Sequence, residues 1–213
     1  MEITTIIFDL GGVVLTNDWH FDCPEKFQAY SDYFGVSYDD MERGWKAAWP
    51  AFKIGKITEE DFWKTFLQTA GAKIIEIEKA KQLWRKYQKP IENMLDLLSK
   101  LKENYRLAAL ATIGREWIDY KRKVFKLNDY FDVIISSGYF GFTKPDPRIY
   151  RFIIKELEVK PRQCLYVDDQ LSLLSPAKLM GMKTIYFRGQ KKLEIQLKES
   201  NLCVTSVMPG NKV

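Results

Sequence analysis

Apolar and polar positions along the chain change period twice. Ile3-Thr4-Thr5-Ile6-Ile7-Phe8 is β-branched and aromatic without a charge, the pattern of a strand buried on both faces of a parallel sheet. From about residue 17 to 90 the apolar residues recur at helical spacing instead. Segments starting at Pro24, Tyr38 and Thr58, and one from Ile74 to Tyr87, are separated by Gly35, Gly55 and Gly71, which supply turns. Thr58-Glu59-Glu60-Asp61 is an N-cap followed by an acidic first turn. After Pro90 the pattern alternates. A helix from Pro90 to Asn104 precedes a strand over 106–111. A helix over 116–125 leads to a strand over 131–136, and a helix over 148–157 to a strand over 163–167. A helix over 171–180, which Pro176 must start, kink or shorten, precedes a strand over 183–187, and a last helix runs over 190–199.

This alternation predicts an α/β fold: a doubly wound, Rossmann-like parallel sheet of about five strands with right-handed crossovers. The domain division is 1–16 with 91–213 for the α/β core, and 17–90 for an inserted helical domain. Most of the tryptophans fall in the insert (Trp19, Trp45, Trp49, Trp63, Trp84) and read as its core, with Trp19 near the entry a candidate to face a ligand.

Ligands bind beyond the carboxyl ends of parallel strands. Polar residues stand there: Asp9 followed by Gly11 and Gly12, Thr112, Lys144 in a loop with two prolines, and Asp168-Asp169. Alone, each has a plain reading. Asp9 is a solvated strand end, Thr112 a helix cap, Lys144 a surface lysine, and Asp168-Asp169 an acidic pair favoured by a helix dipole. Their convergence at one sheet edge is what makes a site.

Composition narrows the classes. Hydrophobic residues make up 46% of the 213 and charged residues 29%, enough for a large core in a soluble protein. No apolar run approaches the roughly 18 residues of a membrane span, and the start carries no basic n-region of a secretory signal. Cys23, Cys164 and Cys203 lack disulfide or zinc spacing, which fits a reducing cytoplasm. His20 is the only histidine, so histidine-rich metal sites and Ser–His triads have little support. The net charge of +5 is carried by scattered rather than clustered lysines and arginines, so neither nucleic acid nor a membrane is an expected partner.

Four stretches, in order, resemble the motifs of the haloacid dehalogenase-like hydrolase superfamily: FDLGGVV at 8–14, LAALAT at 107–112, FTKPDPRIY at 142–150 and CLYVDD at 164–169. The insert after the first strand stands where that superfamily places a helical C1-type cap. The resemblance implies a hydrolase, most readily a Mg²⁺-dependent phosphatase of a small phosphorylated metabolite. Asp9 would be the nucleophile forming an aspartyl-phosphate. Asp9, the Gly11 carbonyl, Asp168 and Asp169 would hold Mg²⁺. Thr112 and the backbone at Ile113 would hold phosphoryl oxygens, and Lys144 would neutralise charge. Trp19 and His20, just past the first motif, are candidates to contact substrate.

The sequence also departs from the pattern. Gly11 replaces the Asp that usually serves such phosphatases as general acid, Ile113 stands where many relatives have Asn, and Leu173 where an Asn often follows the acidic pair. A DLGGV form does occur among members assigned as phosphatases. The alternatives are a 2-haloacid dehalogenase, which typically has Tyr at the Gly11 position and lacks the acidic pair, and a non-catalytic phospholigand-binding protein.

Overall fold

The structure, a computed structural model, describes residues 2–17 and 23–204. Five parallel strands form one sheet, β1 Thr5–Phe8, β2 Arg106–Ala111, β3 Val133–Ser136, β4 Cys164–Asp168 and β5 Lys183–Tyr186, in the order β3-β2-β1-β4-β5. β1 is central because its residues are apolar towards both faces. Phe8 lies opposite Ala109 on one side and Val167 on the other. Alternate residues feed two cores. Ile6, Phe8, Leu107 and Val167 face one, while Ile7, Ala108, Leu110 and Tyr166 face the other, as the period-2 pleat requires.

Between β1 and β2 lie α1 Pro24–Phe34, α2 Tyr38–Phe52, α3 Glu59–Ala70, α4 Ile77–Lys86 and α5 Met94–Lys102. The remaining helices are α6 Arg115–Val124, the single-turn α7 Ser137–Phe140, α8 Pro147–Leu157, α9 Leu171–Leu179 and α10 Gln190–Glu199. The first core continues without a break into the insert, through Phe62, Trp63 and Trp84 around Trp117 of α6. The chain leaves and re-enters the sheet region through paired segments. Leu15 bridges Pro90, Thr16 N–H donates to Lys89 O at 2.9 Å, and Ile91 N–H donates to Val14 O at 2.9 Å.

Several boundaries differ from expectation. The fourth helix starts at Ile77 rather than Ile74, because Ile74 and Ile75 are exposed and have no apolar surface to order them. The helix expected from Pro90 starts at Met94. Pro90 and Ile91 are taken up by the linker pairing, and Asn93 turns through a left-handed φ of 59°. The third strand starts at Val133 rather than 131, and Ser137-Gly138 opens α7 directly after it. Asp168 is the last residue of β4 rather than the first beyond it. Pro176 lies inside α9, and Pro50 lies inside α2.

Candidate active site

Asp9 follows β1 and stays in the ladder, its N–H donating to Val167 O at 2.9 Å. The chain then reverses tightly over Leu10 to Leu15, whose N–H groups from Val13 to Leu15 all donate to Leu10 O. Asp9 Oδ1 accepts from Leu10 N–H at 2.7 Å and lies 2.9 Å from Lys144 Nζ. The same Nζ is 2.8 Å from Asp168 Oδ2 and donates to Tyr166 Oη at 3.1 Å. The Tyr166 hydroxyl in turn donates to Asp168 Oδ2, and Asp168 Oδ1 accepts from Gln170 N–H at 2.9 Å. The loop carrying Lys144, which has a cis Lys144-Pro145 bond, ends where Asp146 caps α8 by accepting from Arg148 N–H. Asp9, Lys144 and Asp168 are all buried.

Burial, and then repulsion from Asp168 and Asp169, outweighs the attraction of Lys144 and pushes the Asp9 carboxyl up to about 7. Burial pulls Lys144 down, but Asp9 and Asp168 hold it above an ordinary lysine. Burial and the neighbouring carboxylates push the Tyr166 phenol well up, so it remains a donor. Lys144 lies between two of the three carboxylates, Asp9 and Asp168. Asp9, Asp168 and Asp169 each offer an oxygen, all within 4.8 Å of one another. Hard oxygen donors at this density suit Mg²⁺. Gly12 helps to build the cluster, since it has a φ of +81° and a Cβ there would lie 2.2 Å from Asp169 Oδ2. Only glycine allows both the turn and the close approach.

The phosphate-side candidates stand on the same rim. Thr112 Oγ1 is 2.6 Å from Thr143 Oγ1. Ile113 N–H donates to Ser137 Oγ at 3.0 Å, and the Ser137 hydroxyl donates to Lys53 O at 2.5 Å. The Ile113 donor is therefore already engaged, by a serine that also ties down the end of α2. Trp19 and His20 lie outside the described residues.

A cavity of about 290 Å³ opens over Asp9, Gly11, Thr112 and Lys144. Its other walls contain residues outside the expected site. Asn17 stands beside Gly11. Trp45, Trp49 and Lys53 descend from the insert, and Lys121 comes from α6. Trp45 and Trp49, taken from the sequence as core, are half-buried, stack at 4.6 Å on each other and also face the cavity. One signal was available: positions 45, 49 and 53 repeat every four residues along one helix face, and that row ends in a lysine.

A family model for haloacid dehalogenase-like hydrolases matches residues 3–181. A D-ribitol-5-phosphate phosphatase of Bacteroides thetaiotaomicron is 27% identical over 194 residues, covering 85% of this chain and 90% of that protein. A glyceraldehyde 3-phosphate phosphatase of Pyrococcus furiosus is 30% identical over 115 residues, 52% of this chain and 47% of that protein. Among solved structures, a HAD family enzyme of Bacteroides thetaiotaomicron in complex with magnesium and inorganic phosphate superposes with a TM-score of 0.74 at 23% identity, covering 88% of this chain and 95% of that one. An L-2-haloacid dehalogenase of Xanthobacter autotrophicus superposes with a TM-score of 0.62 at 19% identity, covering 94% and 84%. At these identities the superpositions speak for the fold alone. The family model, spanning most of the chain and all four motif stretches, makes this protein a member of the haloacid dehalogenase-like hydrolase family.

Proposed function

We propose that the protein is a Mg²⁺-dependent phosphatase acting on a small phosphorylated metabolite through an aspartyl-phosphate on Asp9. The observation that carries this reading is the buried cluster in which Lys144 lies 2.9 Å from Asp9 and 2.8 Å from Asp168, with Asp169 close enough to share a cation. Asp9, Asp168 and Asp169, with the Gly11 carbonyl, would hold Mg²⁺, which offsets the charge of a phosphate dianion. An Asp9 oxygen attacks phosphorus. Lys144 balances charge on the transferring group, and the Thr112 hydroxyl holds a phosphoryl oxygen. Residues 17–90 act as a cap over the cavity, and Trp45, Trp49 and Lys53 meet the part of the substrate beyond the phosphate. The phosphatases of ribitol and glyceraldehyde phosphates among the relatives support a small substrate. Cysteines with no disulfide between them fit the cytoplasm.

The test is a screen of phosphate esters with Mg²⁺, repeated in excess EDTA and with Asp9→Asn. Phosphate release that needs Mg²⁺ and Asp9 is the expected result. Halide release from a 2-haloacid in EDTA would make it a dehalogenase. Thermal stabilisation by phosphate esters without turnover would make it a binding protein.

A further inference from the structure

Side chains along β4 alternate between the two faces of the sheet, so Tyr166 and Asp168 project to the same side. The Tyr166 ring is fully buried in the second core and stands edge-on to Tyr150, with centroids 5.7 Å apart at 89°. That packing uses only the apolar body of the ring, and a phenylalanine would serve it as well. The hydroxyl has a different setting. It accepts from Lys144 Nζ at 3.1 Å and donates to Asp168 Oδ2. The same Nζ lies 2.9 Å from Asp9 Oδ1 and 2.8 Å from Asp168 Oδ2. An ammonium carries three N–H donors, and here they face three acceptors: two carboxylates and one neutral hydroxyl. The Asp168 carboxylate is held at both ends, Oδ1 by Gln170 N–H and Oδ2 by Lys144 and Tyr166.

Resting on the phosphatase reading above, we propose that Tyr166 is a positioning residue for that reaction. Its hydroxyl locks the Lys144 ammonium and the Asp168 carboxylate against each other. It thereby sets both the affinity of the carboxylate cluster for Mg²⁺ and the place of the positive charge beside Asp9. A hydroxyl suits this task because it donates and accepts at once and brings no charge into a buried site. Lysine has a flexible four-carbon stem. Without the third acceptor its ammonium can pivot on the two carboxylates, and one of its donors is left unsatisfied where 1% of the side chain is exposed. Without the phenol donor, Asp168 Oδ2 is held by Lys144 alone, and the carboxylate is freer to turn about its Cβ–Cγ bond. Hydrogen-bond partners behind a metal-holding carboxylate typically account for about 10–100-fold in metal affinity or activity. Tyr150 provides the contrast within the same core. Its hydroxyl is also buried, but it donates to Leu173 O at 2.7 Å and touches neither Lys144 nor Asp168.

The experiment titrates Mg²⁺ calorimetrically into the metal-free wild type, Tyr166→Phe and Tyr150→Phe, with no substrate present. Each variant removes one buried hydroxyl and keeps the ring, and melting temperature reports that it is folded. Tyr166→Phe should weaken Mg²⁺ binding by about 10–100-fold, while Tyr150→Phe should stay within about threefold of the wild type. Turnover of 4-nitrophenyl phosphate at saturating Mg²⁺ gives a second readout. There Tyr166→Phe should lower kcat by about tenfold or more and leave KM within about threefold, because the phenol holds the charge that meets the transferring group rather than the substrate in its ground state. An unchanged Mg²⁺ affinity in Tyr166→Phe, an equal loss in Tyr150→Phe, or an effect confined to KM overturns the role of Tyr166 while leaving the phosphatase reading standing. A wild type that binds no Mg²⁺ overturns both. The titration needs no turnover, so it decides the matter even where 4-nitrophenyl phosphate is cleaved slowly.

Discussion

Lys144 shows how much one residue carries. Its ammonium lies between Asp9 and Asp168 with 1% of its side chain exposed. Such a pair is weak evidence of net stabilisation, but removing one partner strands the other charges in a buried site at a cost of about 3–5 kcal/mol. Lys144→Met should therefore lower the melting temperature of the metal-free protein sharply. Mg²⁺, bound by the carboxylates left behind, should recover part of the loss. Thermal scans with and without Mg²⁺ check this, and an unchanged melting temperature would show that the carboxylates shed their charge instead. The candidates Asp9, Lys144 and Asp168 were legible as residue types at strand ends. Tyr166 was not, because its position within a strand marks it only as core, and its hydroxyl matters through Asp168, two residues further along the same face.

At the scale of elements, α2 does most to shape the cavity roof. Its N-terminus is a capping box in which the Ser37 hydroxyl accepts from Asp40 N–H while the Asp40 carboxylate accepts from Ser37 N–H at 2.8 Å. Hydrogen bonds from the Ser37 side chain and backbone, and from Arg43, lower the Asp40 carboxyl to about 2. A depressed carboxyl stabilises the fold above its unfolded value of about 3.9, and that contribution disappears as pH falls through the folded value. The gap in melting temperature between wild type and Asp40→Ala should therefore be full above about pH 4 and shrink towards pH 2. A gap independent of pH would mean that the carboxylate plays no part.

Trp117 is the second element-scale anchor. Although it belongs to α6, its ring lies 4.1 Å from Trp84, 4.8 Å from Phe52 and 5.1 Å from Phe62, and its indole N–H donates to Glu59 at 3.0 Å. Trp117→Ala should cost about 3–5 kcal/mol in denaturant melts. It should also lower kcat/KM, since Trp45 and Trp49 lean on the same ring at 6.0 and 5.9 Å. The strong periodicity of α1 to α3 made these helices readable. The start of α4 was not, because two exposed isoleucines resemble a buried turn until the packing is known.

For the whole molecule, the question is how the insert sits on the sheet edge. The paired linkers hold it at Leu15 and Pro90. The Ser137–Lys53 hydrogen bond holds the end of α2. Gly55, with a φ of +71°, approaches so closely that a Cβ would lie 2.1 Å from Gly138 O. Gly55→Ala should displace this loop and the neighbouring Lys53, lowering kcat/KM by an order of magnitude or more; positioning errors of about 1 Å can cost on that scale. If 17–90 is a cap that closes on ligand, saturating phosphate with Mg²⁺ should slow hydrogen exchange over 45–56, and unchanged exchange would count against closure. Sequence alone determined the alternating fold, the order of the strands along the chain and the residues at their carboxyl ends, because these follow from local period and from which residue types stop a strand. Only the tertiary structure decided the order of strands across the sheet, the placing of Lys144 between two carboxylates and the descent of Trp45, Trp49 and Lys53 into the cavity. These depend on contacts between segments far apart in the chain, and no local pattern encodes which distant side chain will occupy a given space.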